Sequence, residues 1–205
     1  MVYYYFIRLF SHFNNYKGNR LERKVKGTLV KSIVKGVKGD KTNKENYENL
    51  LSDKAKELLN KRILDSIWYP FDAYFELYFA LAKFFAKNNN QIFIKWGNQF
   101  GEAGMSTVYK NIVVEGNLDK LVEKFNRFHG LLFNFGDFSL ERISNNELLI
   151  TYRNFEPDFE FWYYTAVGWI QKSTEMCIKK SVNFEFLKKS WNGEDFTEFR
   201  LFWKS

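Results

Sequence analysis

His12, His129 and Cys177 are the only imidazoles and the only thiol in this 205-residue sequence. One cysteine permits neither an internal disulfide nor a multi-cysteine zinc site. Two histidines close a zinc shell only if carboxylates fill the remaining positions. Cys177 stands in Glu175-Met-Cys-Ile, on the apolar side of a helical pattern, where a thiol is expected to be buried and inert. His129 stands in Phe128-His-Gly-Leu-Leu-Phe. It reads either as a packed, hydrogen-bonded histidine at a helix end, or as a haem ligand or polar contact to a bound molecule. His12 has no supporting context. The sequence holds no phosphate-binding glycine loop, no dinucleotide fingerprint, no nucleophile elbow and no H-E-x-x-H. The expectation is a non-enzyme with no catalytic residue, no metal and no cofactor.

Charge is the second chemical signal. The net charge is +7 and the pI about 9.3. Residues 17–44 hold ten basic side chains against Glu22 and Asp40, a local charge of +8 that leaves −1 for the rest. Such a segment is a solvated arm, or it attracts an anionic partner, with protein or membrane headgroups as the candidates. Arg20, Arg23, Lys24 and Lys26 are its candidate contact residues. Nucleic acid is disfavoured, because the aromatics are not interleaved with the lysines as stacking platforms. The opening residues lack a basic leader and a cleavage site, and the longest uncharged run is the eleven residues from Phe161 to Gln171. A bilayer span needs roughly 18 or more. The expected location is cytoplasmic, without a transmembrane segment.

The elements that must position these groups follow from hydrophobic periodicity. Thr28–Val37 is rich in β-branched residues and reads as a strand. Residues 45–64 show helical spacing, with Leu50, Leu51, Ala55, Leu58, Leu59 and Ile63 on one face. Pro70 suits the first turn of a helix that runs to about Lys87. A third helix covers 91–109 and contains Gly97, Gly101 and Gly104. A fourth starts at the N-cap Asn117 and runs toward Phe133. Residues 137–143 and 147–153 read as strands joined by Asn145-Asn146. A fifth helix spans 159–177. Val182, Phe184 and Phe186, then Phe199, Leu201 and Trp203, alternate as a closing hairpin around Asn192-Gly193. The class is α+β, a mainly antiparallel sheet of four to five strands with about five helices on one face. The expected organisation is an aromatic and basic extension, 1–25, before a single domain, 26–205. Aromatics make up 20% of the chain. Most must be core, and a surplus beside the glycines would line an apolar pocket.

Several motifs also occur in a familiar order. Lys26-Gly27-Thr28-Leu29-Val30 precedes Trp68-Tyr69-Pro70. Then come the Gly97–Gly104 run, Thr107-Val108-Tyr109, Val167-Gly168-Trp169-Ile170, Gly193-Glu194-Asp195 and Phe199-Arg-Leu-Phe-Trp203. Over about residues 26–203 the chain resembles the superfamily of haem–nitric-oxide-binding domains, 4-vinyl reductase domains and TRAPP tethering subunits. The resemblance is greatest to a bacterial branch of unknown function best populated in myxobacteria. It implies helices against a curved antiparallel sheet, and non-enzymatic sensing, ligand binding or assembly. Members with a zinc site carry cysteines around the final hairpin. Ser190 and Thr197 stand in that neighbourhood here, so no metal site is carried over. The haem-binding branch uses a proximal histidine and a Tyr-x-Ser-x-Arg motif, and that motif is absent. The acyl-chain cysteine of tethering subunits is not transferred to Cys177. The resemblance places a ligand between the helical layer and the sheet, flanked by Trp96, Phe100, Tyr109, Phe133, Trp162 and Trp169, with His129 as a polar candidate.

The expected function is therefore a cytoplasmic sensory or regulatory domain that binds a small apolar ligand, a partner protein, or both, with a homodimer as one form of assembly. The alternatives are a haem-based gas sensor and an electrostatic adaptor acting through residues 17–44.

Overall fold

The computed structural model describes residues 22–106, 113 and 115–204, without the side chains of Met105 and Ser106. Strand β1 (Lys24–Lys26) pairs antiparallel with β2 (Trp68–Pro70) as a small separate sheet. Between them lie α1 (Gly27–Gly39), α2 (Lys44–Leu50) and α3 (Asp53–Asn60). The chain continues through α4 (Phe71–Phe84), α5 (Asn90–Ser106), α6 (Leu118–Leu132), β3 (Asp137–Ser144), β4 (Glu147–Arg153), α7 (Glu160–Ile178), β5 (Asn183–Lys188) and β6 (Thr197–Phe202). The second sheet has the order β3-β4-β6-β5 and is antiparallel throughout. The α+β class expected from the sequence is the class observed.

Thr28–Val37 is helix, not strand. Its buried residues Val30, Ile33, Val34 and Val37 fall at i, i+3, i+4 and i+7, which is one helical face. That spacing outweighed the β-branched composition. Residues 45–64 form two helices rather than one. Leu51 turns extended, and Ser52 caps α3 by accepting a hydrogen bond from the Ala55 N–H. Ser52 also bonds Glu76 on α4 through its backbone N–H and its hydroxyl, both at 3.0 Å, which fixes the corner.

Alternation sets the inner face of the large sheet. Leu140, Ile150, Phe199 and Phe186 lie in one cross-strand row, with Leu148 opposite Leu201 in the next. Phe199, Leu201 and Trp203 are all buried and share that face, as strand alternation predicted. The aromatics are mostly core. Phe71 is fully buried and packs its ring against Phe135, Phe159 and Phe133 at centroid distances of 4.7, 5.6 and 6.2 Å.

Helices α5 and α7 cross in close contact. A Cβ on Gly97 would clash with the Thr165 carbonyl oxygen and lie 2.8 Å from the Trp169 backbone nitrogen. A Cβ on Gly168 would clash with the Ile94 carbonyl oxygen and lie 3.0 Å from the Asn98 nitrogen. The glycines thus let two backbones touch instead of making room for a ligand. No helix among the described residues is long and apolar enough to cross a membrane.

Candidate functional site

The inward faces of α6 and α7 converge over the edge of the sheet formed by β3 and β4. Phe125, Phe128, His129 and Leu132 recur at helical spacing on α6. Trp162, Ala166, Trp169 and Ile170 do so on α7. Phe138 of β3 and Tyr152 of β4 complete the lining of one cavity, whose volume is about 20 Å³. A cavity of that size holds about one water.

His129 is the one polar side chain that α6 contributes. Its imidazole lies parallel to the Phe138 ring, with centroids 5.8 Å apart, and edge-on to Tyr152 and Phe155. Nε2 lies 3.1 Å from the Phe135 carbonyl oxygen; that acceptor assigns the proton to Nε2. Burial holds the pKa of His129 below its ordinary value, against weaker raising effects from the Phe135 carbonyl and Asp137. Burial also raises the Tyr152 hydroxyl well above its ordinary range. The Trp162 indole N–H is buried with no hydrogen-bond partner among the described residues.

The walls are held from two sides. On one side Asn126 donates to the Leu140 carbonyl at 2.8 Å and accepts from the Leu140 N–H at 2.7 Å, clamping α6 to β3. On the other, the glycine crossing clamps α7 to α5, and the Tyr78 and Thr165 hydroxyls link α4 to α7. Between α6 and α7 the closure is aromatic, with Phe128 meeting Trp169 edge to face at 5.2 Å.

The structure distributes the residues expected from sequence as follows. His129, Trp162 and Trp169 line the cavity together. Phe133 packs behind it, 5.3 Å from His129 and 5.1 Å from Trp162. Trp96 and Phe100 lie elsewhere, Trp96 against Phe85 and Phe93, and Phe100 exposed on α5. Tyr109 falls outside the described residues. Phe125, Phe128, Leu132, Phe138, Tyr152, Ala166 and Ile170 were not singled out from sequence. The i, i+3, i+4, i+7 row on α6 and the i, i+4, i+7, i+8 row on α7 were the available signal. Cys177 is buried, and burial raises its thiol pKa, which opposes a nucleophilic role.

Of the basic candidates, Arg20 lies outside the described residues. Arg23 is committed to Glu156 at 2.7 Å and Asp72 at 2.8 Å, and stacks over Phe71. Lys24 pairs with Glu22, and Lys26 lies over the Trp68 ring at 4.2 Å. Ser190 and Thr197 bond each other at 2.7 Å, and Ser190 donates to the Pro157 carbonyl at 3.0 Å. This buried hydroxyl pair ties the final hairpin to the entry of α7. No group of three His, Cys, Asp or Glu side chains suited to a metal ion occurs among the described residues.

No protein-family model and no curated protein sequence matches the chain. Solved structures do. A mutant of T. tengcongensis H-NOX is 14% identical with a TM-score of 0.59, covering 88% of this chain and 98% of that one. An oxygen-binding H-NOX domain related to soluble guanylate cyclases is 15% identical, with a TM-score of 0.56 and coverage of 88% and 95%. A third H-NOX structure, solved to probe the function of heme distortion in that family, is 14% identical with a TM-score of 0.60, covering 88% and 95%. At such identities the likeness is one of fold, and the fold is the haem–nitric-oxide-binding one.

That likeness corrects the expectation of no cofactor, which rested on a missing sequence motif. Two of the similar structures are described by their heme, and haem becomes the cofactor to test. The residues at the cavity answer in two parts. An apolar pocket with one neutral imidazole has the right donor chemistry. The space is wrong: about 20 Å³ cannot hold a porphyrin, and the His129 Nε2 already faces a carbonyl oxygen. Haem does not fit between α6 and α7 as they are packed.

Proposed function

We propose that this chain is a non-catalytic sensory domain on the haem–nitric-oxide-binding fold, whose responsive element is the seam between α6 and α7. His129 carries the reading. It is a buried, neutral imidazole on the wall of an apolar cavity, in a fold two of whose solved examples are described by their heme. Fold likeness over nearly nine-tenths of the chain favours haem-based gas sensing. That version requires α6 to part from α7, separating Phe128 from Trp169. The small cavity favours a second version, in which a small apolar ligand is bound with little rearrangement.

An absorbance scan decides between them. Protein produced with haem supplied, and apo-protein titrated with hemin, should show a stoichiometric Soret band that His129→Ala shifts or abolishes. A folded protein with no such band refutes the haem version. The second version then predicts that a small aromatic probe raises the thermal midpoint, and no shift with any such probe refutes it.

A further inference from the structure

The charge on α1 forms a surface that the cavity does not use. Lys31, Lys35 and Lys38 lie at i, i+4 and i+7, all exposed, on the flank of α1 beside its buried Val34. Lys61 joins them across an open groove of about 520 Å³ whose floor is Val34 and Ile63. The loop 61–67 closes one side. It is pinned to α1 by the Gly27 N–H donating to the Ile67 carbonyl at 2.8 Å, and by Lys31 reaching Asp65 at 3.2 Å. This loop presents Arg62 to solvent beside two aliphatic side chains, Leu64 and Ile67, each 47% exposed.

Charges and apolar groups are therefore interleaved on one face. Lys31, Lys35, Lys38, Lys61 and Arg62 oppose Asp65 and the Lys61 partner Glu57. Lys35 and Lys38 show no acidic partner among the described residues, and their neighbours are the groove rather than carboxylates.

We propose that this face docks on a bilayer surface rich in anionic headgroups. Lys31, Lys35, Lys38 and Lys61 would contact phosphate and carboxylate groups while Leu64 and Ile67 enter the headgroup–acyl boundary. An acidic protein would satisfy the lysines. It gives no reason for two aliphatic side chains to stand in water at the tip of a pinned loop. A bilayer satisfies both, because its charge lies at the surface and its apolar phase directly beneath. The aliphatic stems of long cations can cover apolar surface while their heads stay at the charged layer, which suits a boundary of this kind.

The test is cosedimentation of the full chain with vesicles of phosphatidylcholine, with and without phosphatidylserine, at low and high salt. Binding should require phosphatidylserine and weaken with salt. Each lysine at such a surface is worth roughly fivefold in affinity. The triple variant Lys31→Gln, Lys35→Gln, Lys38→Gln should therefore lose at least about tenfold, allowing for the Lys31–Asp65 pair. Leu64→Ser with Ile67→Ser should lose severalfold while keeping the salt dependence. All five side chains are exposed, so thermal midpoints should match the wild type. Equal binding to both vesicle types, or an unaffected lysine variant, overturns the proposal. If the lysine variant loses binding and the Leu64/Ile67 variant does not, the contact is with headgroup charge alone, and the proposed entry of Leu64 and Ile67 into the bilayer is overturned.

Discussion

Replacing Gly97 with Ala tests whether α5 and α7 are held by backbone contact. The new Cβ would sit 2.8 Å from the Trp169 nitrogen, 0.6 Å short of the 3.4 Å of ordinary contact, with the Thr165 carbonyl oxygen nearer still. The obstructing atoms are backbone of a buried helix, so no side-chain rotation relieves the clash, and α7 must move. Overpacking of that kind costs up to about 3 kcal/mol. Ala gains about 1 kcal/mol over Gly in a helix interior. The net cost is about 2 kcal/mol, which lowers the thermal midpoint by about 4–8 °C for a chain of this length. Gly168→Ala meets the mirror-image contact with Ile94 and should cost about the same. Gly101→Ala has its nearest neighbours at 3.1 and 3.2 Å, so a few tenths of an ångström suffice and the helix gain nearly cancels the cost. Gly39→Ala meets nothing within 4 Å and should be close to neutral. Urea midpoints for the four variants should rank in that order. Because Gly97 and Gly168 share one interface, the double variant should cost less than the sum of the singles. If Gly97→Ala is as stable as Gly101→Ala, the close crossing is wrong.

His129 should make stability depend on pH. Its folded pKa lies below the ordinary 6.5, so the unfolded chain binds the proton first as pH falls. Its contribution is neutral above that value and increasingly destabilising below it, until the folded pKa is reached. Urea midpoints at neutral pH and at about pH 5.5 should differ by less in His129→Gln than in the wild type. An identical difference in both would show that His129 titrates normally. Arg23→Ala removes the pairs with Glu156 and Asp72 and the stacking on Phe71, and should cost about 2 kcal/mol, because Glu156 is left largely buried. Arg23→Lys should recover less than half of that loss, since an ammonium cannot reach both carboxylates in the guanidinium geometry. Full recovery in a denaturation experiment would reduce Arg23 to a point charge. Asn126→Ala breaks both bonds to Leu140 and should cost about 1–3 kcal/mol. An unchanged midpoint would mean that α6 is not clamped through that side chain.

Much of the positioning framework was legible in sequence because local signals agreed with tertiary demand. Asn117 starts α6 as the expected cap, accepting from the Lys120 N–H at 3.0 Å. Asn145-Asn146 turns β3 into β4, and Asn192-Gly193 turns toward β6, with Gly193 at a φ of 97°. Thr28–Val37 misled because β-branching and periodicity disagreed, and packing against α4 rewards periodicity. The glycines misled for a different reason. A small residue on one helix reads equally as room or as contact, and only its partner decides. The partner of Gly97 is the backbone at Thr165 and Trp169, and that of Gly168 is the backbone at Ile94 and Asn98, remote pairings that no local pattern carries. The same holds for Arg23, which in sequence reads as part of a basic surface for an anionic partner, whereas Glu156, 133 residues away, pairs with it.

These ties bear on the ligand-responsive role proposed for the α6–α7 seam. Asn126 makes α6 move with β3, and the glycine crossing makes α7 move with α5. Around the cavity the surfaces that meet are mostly aromatic rings and His129, and at one end the start of α6 is tied to the end of α7, where the Gly116 N–H donates to the Cys177 carbonyl at 2.8 Å and Lys179 meets Glu115 at 3.2 Å. Ring contacts are worth about 0.5–1.5 kcal/mol each beyond area burial, and rings re-form contacts after a shift. A hydrogen-bonded clamp does not, because it loses its partner once it is stretched past bonding distance. Displacement is therefore cheapest at the cavity, away from the Gly116–Cys177 bond, and a ligand entering there would swing α6 with its strand about that tied end. The cavity sits where those two units meet, beside the one buried imidazole of the described chain. Its size and the Phe135 carbonyl facing the His129 Nε2 are its restrictions, and size is the one that separation of the two units would change.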